Sequence, residues 1–252
     1  MDFTGQGVLV TGASRGIGRA VALRFAQHGA RVAVHCQSNR EAAEETRALL
    51  PGTGHVVLQA DLADAEAVRQ MVDDAVSGLG RLDVLVNNAG IYEEHCLADV
   101  SYEEWQAAWR RTLDVNLIGA ANVTFCATRH MISLGGGRVV NVSSRGAARG
   151  EPDYPAYGAS KAGLNSMGQS LAQALAPHNV YVTTVAPGFI ETDMTAELLQ
   201  GESGRRIREQ SPLNRAGLPD EIAYVVAFLA SAGAEYSTGT IVDVNGASYL
   251  RS

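Results

Sequence analysis

Cysteine is scarce in this chain. The three present, Cys36, Cys96 and Cys126, form an odd set without CxxC or metal-ligand spacing. That excludes a disulfide framework and a zinc site, and it points to a reducing, cytoplasmic setting. Positive charge is also short: 20 Lys and Arg against 27 Asp and Glu leave a formal charge of -7, which argues against a nucleic-acid surface or a polybasic membrane patch. No apolar run approaches the roughly 18 residues of a membrane span, and the first residues carry no basic stretch followed by an apolar one. Neither a membrane segment nor an export signal is expected. Repeats, low-complexity tracts and linkers are missing too, so residues 1–252 are read as one domain, with 46% hydrophobic residues to build a sizeable core.

What is present is a regular alternation of short apolar runs and helical periodicities. Strands are expected at 7–11, 31–36, 55–60, 82–86, 138–142, 180–185 and 240–244. Helices are expected at 19–27, 40–50, 64–77, 101–131, around Tyr157, and at 219–230. Such alternation predicts an α/β fold, a doubly wound parallel sheet of about seven strands with helices on both faces. In the long helical stretch, Ser101 and Glu104 form a capping box, and Trp105, Trp109, Leu113 and Leu117 recur every four residues as a packing or subunit-interface stripe. Asn116 interrupts that stripe, as an amide that bends the helix, positions water or lies at an interface. The polar, irregular segment 189–212 reads as a lid over a substrate.

The first strand runs into Thr11-Gly12-Ala13-Ser14-Arg15-Gly16-Ile17-Gly18. Glycines between a strand and a helix allow a tight turn, and the free N–H groups of the helix start attract phosphate. At the second strand's end the chain reads His35-Cys36-Gln37-Ser38-Asn39-Arg40, with no acid before Glu41. A carboxylate there would hold adenine ribose hydroxyls, whereas a 2'-phosphate needs a cation. Arg15 and Arg40 are candidate phosphate partners, which favours NADP(H), with NAD(H) as the alternative. Asp61, followed by Leu62, either accepts from an adenine amine or caps the next turn. Asn87-Asn88-Ala89-Gly90 and Pro187-Gly188 sit at strand ends where a cofactor crevice would lie. Tyr157 and Lys161 are four apart on one helix face, so the ammonium is positioned to act on the phenol and lower its pKa.

These motifs, with Asn116 and Ser144, stand in the order and spacing of the short-chain dehydrogenase/reductase family, which the chain resembles along nearly its whole length. The resemblance implies a Rossmann-type fold and a hydride-transfer enzyme acting on a small carbonyl or alcohol substrate. It implies Tyr157 as acid/base, Lys161 as the residue that tunes it and holds the nicotinamide ribose, and Ser144 as the donor to the carbonyl. Asn116 resembles the asparagine that supports a relay water, and Ile190 and Thr192 match positions that contact the carboxamide and the phosphates. Cofactor positions carried over are Gly12, Ser14, Arg15, Gly16, Ile17, Gly18, Asn88, Ala89, Gly90, Pro187 and Gly188. A homotetramer, or a dimer, is implied as well. Residues 187–195 look most like the 3-oxoacyl-(acyl-carrier-protein) reductases. Gly135 and His178 stand where that group carries the arginines that dock the carrier protein. Arg145, Glu151 and Tyr154 read either as lining a pocket for a small polar substrate or as a salt-linked loop.

Overall fold

The computed structural model describes residues 1–251. Seven parallel strands, β1 (Gly7–Val10), β2 (Arg31–Cys36), β3 (Val56–Gln59), β4 (Val84–Asn87), β5 (Gly137–Val142), β6 (Val180–Pro187) and β7 (Ile241–Val244), lie in the order β3-β2-β1-β4-β5-β6-β7. Helices cover both faces. On one, α1 (Gly16–Gln27) buries Val21 and Phe25 and α9 (Pro219–Ala230) buries Ile222 and Val226, against Val8, Val10, Val84 and Val86. On the other, α3 (Ala65–Leu79) supplies Met71 and Val72 and α5 (Ala120–Ser133) supplies Val123 and Met131, against Leu9, Leu85 and Val139. Burial on both faces is why these strands read as continuous Val/Leu runs instead of alternating.

The chain winds outward from β1 to β3, then crosses back to β4 on the other side of β1. Loops leaving β1 and β4 therefore diverge, opening a crevice at the carboxyl ends of the two strands.

Three elements depart from the expected pattern. The stretch 101–131 is not one helix: α4 (Tyr102–Leu113) and α5 are joined by a π turn at Asp114–Gly119. The wider turn lets Asn116 reach sideways, and Gly119 comes so close to Leu62 that a Cβ there would lie 2.6 Å from the Leu62 carbonyl oxygen. The Ser101–Glu104 capping box opens α4 as expected, with Ser101 N–H donating to Glu104 Oε2 at 2.8 Å. The segment 189–212 is not irregular throughout, because it holds α8 (Gly201–Glu209), a helix so polar that it shows no apolar stripe. Lastly, a single helical turn, α6 (Gly146–Arg149), and the Tyr154 junction precede α7 (Pro155–Leu175), which carries Tyr157 and Lys161. Helix α2 (Arg40–Leu49) borders the crevice just described through Ala42.

Candidate active site

The glycine turn is shaped by close approaches. Gly12 has φ +64°, and a Cβ on it would sit 2.9 Å from Ala89 Cα. Gly18 faces the Gly12 carbonyl, which a Cβ would approach to 2.2 Å. Only glycine fits either place without moving the backbone. Thr11 Oγ1 accepts from the N–H groups of Asn88 and Ala89 (both 3.0 Å), and Asn88 Nδ2 donates to the carbonyls of Thr11 (2.9 Å) and Gly12 (3.0 Å). The Asn88 amide is thus committed to holding the turn. Its role in a dinucleotide site is to fix the backbone.

His35 completes this frame. Nδ1 accepts from Gly12 N–H at 3.1 Å while Nε2 faces the Ala60 carbonyl at 3.1 Å, so the ring is the Nε2–H tautomer. Burial lowers its pKa and keeps it neutral. One imidazole on β2 ties the loops after β1 and β3 together.

Beyond the turn, Ser14, Arg15, Gly16 and Ile17 line a crevice of about 460 Å3, with the free N–H groups of the α1 start directed to it. That volume is ordinary for a small-molecule site. Asp61, Leu62, Ala89, Gly90, Pro187, Gly188, Ile190 and Thr192 also line it. Asp61 Oδ1 accepts from Ala63 N–H at 3.0 Å, so it caps the turn while facing the crevice. Arg15 is exposed and lies 3.8 Å from Asp193. Arg40 does not line the crevice: it turns back along α2 to Glu44 at 3.4 Å. Its place on the outer face is an i, i+4 ion-pair position, which explains why it does not join Arg15.

At the other end of the crevice stand Ser144, Tyr157 and Lys161. Ser143, by contrast, is turned inward, its Oγ donating to the Lys161 carbonyl at 3.3 Å. Lys161 is buried, and Nζ donates to the Val142 carbonyl at 2.8 Å while lying 5.7 Å from the Tyr157 ring centroid. Burial is the largest influence on the pKa of both Tyr157 and Lys161. Burial pushes Tyr157 up to about 12, with the Ser144 hydroxyl opposing and the Glu151 charge reinforcing it. Burial also pushes Lys161 down to about 8. Both charged forms lose water, and that loss is the first cause of each shift.

Asn116 sits outside the crevice lining but touches it through Gly90. Nδ2 donates to the Ile91 carbonyl (3.0 Å) and Ser160 Oγ (3.1 Å), and Oδ1 accepts from Ile91 N–H (2.8 Å). A Cβ on Gly90 would fall 3.2 Å from Asn116 Oδ1 and 3.4 Å from Lys161 Nζ. Gly90 therefore keeps a small space open between an acceptor and an ammonium. Arg145 makes no ion pair among the described residues: it donates to Ser248 Oγ and Gln210 Oε1, both at 2.6 Å, and stacks on Phe189 at 4.7 Å.

A family model described as enoyl-(acyl carrier protein) reductase matches residues 12–247. A Staphylococcus aureus protein named 3-oxoacyl-(acyl-carrier-protein) reductase is 42% identical over 249 residues, covering 97% of this chain and 98% of its own. The chain belongs to the short-chain dehydrogenase/reductase family. A solved dehydrogenase/reductase from Sinorhizobium meliloti 1021 superposes with TM-score 0.90 at 32% identity, covering 99% of this chain and 97% of that one. A short chain dehydrogenase from Burkholderia cenocepacia J2315, solved in complex with NADP, gives TM-score 0.88 at 34% identity, covering 98% and 99%.

Within this short-chain dehydrogenase/reductase, several site residues were not legible in the sequence. His95 is buried in the loop after β4; Nδ1 faces the Glu93 carbonyl at 2.8 Å, and Nε2 accepts from Ala156 N–H at 3.2 Å. It thereby caps the first turn of α7, next to Tyr157. Tyr92 meets Tyr157 edge-on at 4.7 Å and stacks on Tyr154 at 3.7 Å. No local periodicity marks any of them, since their partners lie about 60 residues away. Among the described residues, no group of three or more His, Cys, Asp or Glu is arranged to hold a metal ion, and no helix is long and apolar enough to cross a membrane.

Proposed function

We propose that this short-chain dehydrogenase/reductase is an NADP(H)-dependent oxidoreductase that interconverts a small carbonyl compound and its secondary alcohol. The carrying observation is that Ser144, Tyr157 and Lys161 converge at one end of the crevice whose other end is the glycine turn and Arg15. The cradle fits a dinucleotide: an added Cβ would meet Ala89 at Gly12 and the Gly12 carbonyl at Gly18, so the turn stays bare toward the crevice, and Arg15 supplies a cation where the second strand ends without a carboxylate. Gly12, Ser14, Arg15, Gly16, Ile17 and Gly18 would hold the phosphates, with Asp61 and Leu62 toward the adenine. Ala89, Gly90, Pro187, Gly188, Ile190 and Thr192, with Tyr157 and Lys161, would hold the nicotinamide half.

When bound, NADPH supplies the hydride for the carbonyl carbon. Ser144 donates a hydrogen bond to the carbonyl oxygen, stabilising the charge that develops there. Tyr157, neutral at physiological pH because burial holds its pKa near 12, donates the proton that completes the alcohol. A phenol kept protonated is suited to the reductive direction. Lys161 favours the tyrosinate left behind, and Asn116 Oδ1, with one lone pair uncommitted to Ile91, is placed to hold a water that returns the proton.

A second reading, a 3-oxoacyl-(acyl-carrier-protein) reductase, is favoured by the 42% identical relative. Against it stand Gly135 and His178 at the carrier-docking positions. NADPH oxidation measured with an acetoacetyl thioester, simple ketones, diketones and sugars separates the two. Tyr157→Phe lowers turnover by about 10²-fold or more with cofactor affinity nearly kept; wild-type turnover in that variant would sink the assignment.

The reading takes residues 1–252 as one catalytic domain with segment 189–212 as the lid, acting in the cytoplasm. Exposed apolar side chains, Ile118 and Phe125 on one surface and Tyr224 and Phe228 on another, support a homotetramer.

A further inference from the structure

Beside the reacting oxygen, this protein carries one acid that the proposed chemistry does not use. Glu151 lies in the loop between α6 and α7, half-buried, folded over Gly146 so closely that a Cβ there would lie 2.8 Å from Glu151 Oε1. Gly146 N–H in turn donates to Ser144 Oγ at 3.0 Å, so one residue links this carboxylate to the carbonyl-binding hydroxyl. Its charge reaches the phenols of both Tyr157 and Tyr92.

Two nearby arginines favour the Glu151 charge through space, but both donate to other groups. Arg145 is held by Ser248, Gln210 and Phe189, and Arg149 donates to Gln210 Oε1 at 3.0 Å. No cation comes within 4.0 Å of Glu151 among the described residues, whereas 14 other ion pairs in the chain meet that distance. Tyr92 and Tyr154 stack at 3.7 Å with 10° between their planes, forming a flat aromatic wall adjoining Tyr157. Tyr154 Oη is turned away to Glu94 at 3.3 Å. Burial still raises the Glu151 pKa against the pull of both arginines, and a half-buried carboxylate with no cation in contact is costly unless something donates to it.

We infer that Glu151 selects the substrate by accepting a hydrogen bond from a hydroxyl or ammonium group beside the carbonyl, with the Tyr92–Tyr154 wall packing its carbon face. The favoured class is a compact hydroxy- or amino-ketone. An anionic substituent would meet the carboxylate and be rejected. This rests on the carbonyl-reductase reading above.

The test uses four ketones of matched size with NADPH: hydroxyacetone, aminoacetone, butan-2-one and pyruvate. In the wild type, kcat/KM for hydroxyacetone or aminoacetone exceeds that for butan-2-one, and pyruvate is the poorest. In Glu151→Ala the donor-to-butan-2-one ratio falls about tenfold to a hundredfold, the scale for losing a hydrogen bond to a charged group. The ratio cancels any general effect of the Glu151 charge on Tyr157. Glu151→Gln, which keeps an acceptor but no charge, retains the hydroxyacetone preference better than the aminoacetone preference. NADPH affinity, read by fluorescence, verifies that both variants are folded. An unchanged ratio in Glu151→Ala, or a wild-type preference for butan-2-one or pyruvate, overturns the inference while leaving the reductase reading intact. NADPH oxidation with none of the four, nor with the thioester, diketones or sugars, defeats the reductase reading and this one with it.

Discussion

Lys161 donates from Nζ to the main-chain oxygen of Val142, the last residue of β5, at 2.8 Å. The ammonium of the candidate site is thus anchored to the sheet itself. Its position is set by β5 and α7 together, and it does not depend on the phenol four residues earlier.

From this follows a pH dependence. Burial depresses Lys161 to about 8, so it is charged below that pH and neutral above it. A neutral amine no longer favours the tyrosinate, and kcat/KM for reduction is expected to fall as pH rises through about 8. Lys161→Arg keeps its charge at all accessible pH and loses that limb, even if its rate is lower. A pH profile with the same alkaline limb in Lys161→Arg would assign it to another group.

The cap from His95 predicts a positioning effect. His95→Phe keeps the ring packed near Trp105 (5.4 Å between centroids in the native protein) but leaves Ala156 N–H without its acceptor. Loss of a helix cap costs about 0.5–2 kcal/mol. The expected outcome is a lower kcat with little change in NADPH affinity, and partial recovery in His95→Asn. Equal losses in His95→Phe and His95→Asn would show that ring volume, not the acceptor, matters.

Arg15 and Arg40 are expected to separate in cofactor choice. Arg15 lines the crevice, while Arg40 pairs with Glu44 on the outer face of α2. Arg15→Ala should weaken NADPH binding about five- to thirtyfold relative to NADH, the scale of one charge-assisted contact on a partly exposed site. Arg40→Ala should change that ratio less than twofold or so. Titration of both dinucleotides against each variant decides it.

Gly90→Ala tests the space between Asn116 and Lys161. The added methyl would sit 3.2 Å from Asn116 Oδ1, where a relay water would bind. Turnover is expected to drop with an enlarged solvent isotope effect, because return of the proton becomes slower. Asn116→Ala should lower turnover as well, with an added loss of stability from the unpaired Ile91 amide. An unaltered isotope effect in Gly90→Ala would remove the water from the scheme.

The strands and their motifs were legible in the sequence because a parallel sheet buried on both faces produces uninterrupted apolar runs, and glycine punctuates each turn. All seven strands appear within a few residues of their expected limits. What could not be read depends on distant partners. The π turn follows from Asn116 meeting Ile91 and Ser160, and α8 presents almost nothing apolar to reveal its period. Spacing placed Tyr157 and Lys161 on one face but said nothing of their depth, and depth sets the direction of both pKa shifts. The turn of Arg40 along α2 to Glu44 was not legible for the same reason: its local sequence is equally compatible with either side of the α2 start.

The π turn at Asp114–Gly119 also makes helix phase a discrete variable in this protein. An α-helix advances about 100° per residue. A π turn takes in one more residue over nearly the same rotation, so removing one residue from it would let α4 run straight into α5 with Val123 and Met131 still buried. Single-residue deletion inside the turn is therefore expected to be better tolerated by the fold than deletion within α5, where nothing absorbs the change of phase, and its cost should fall on the bonds of Asn116 to Ile91 and Ser160.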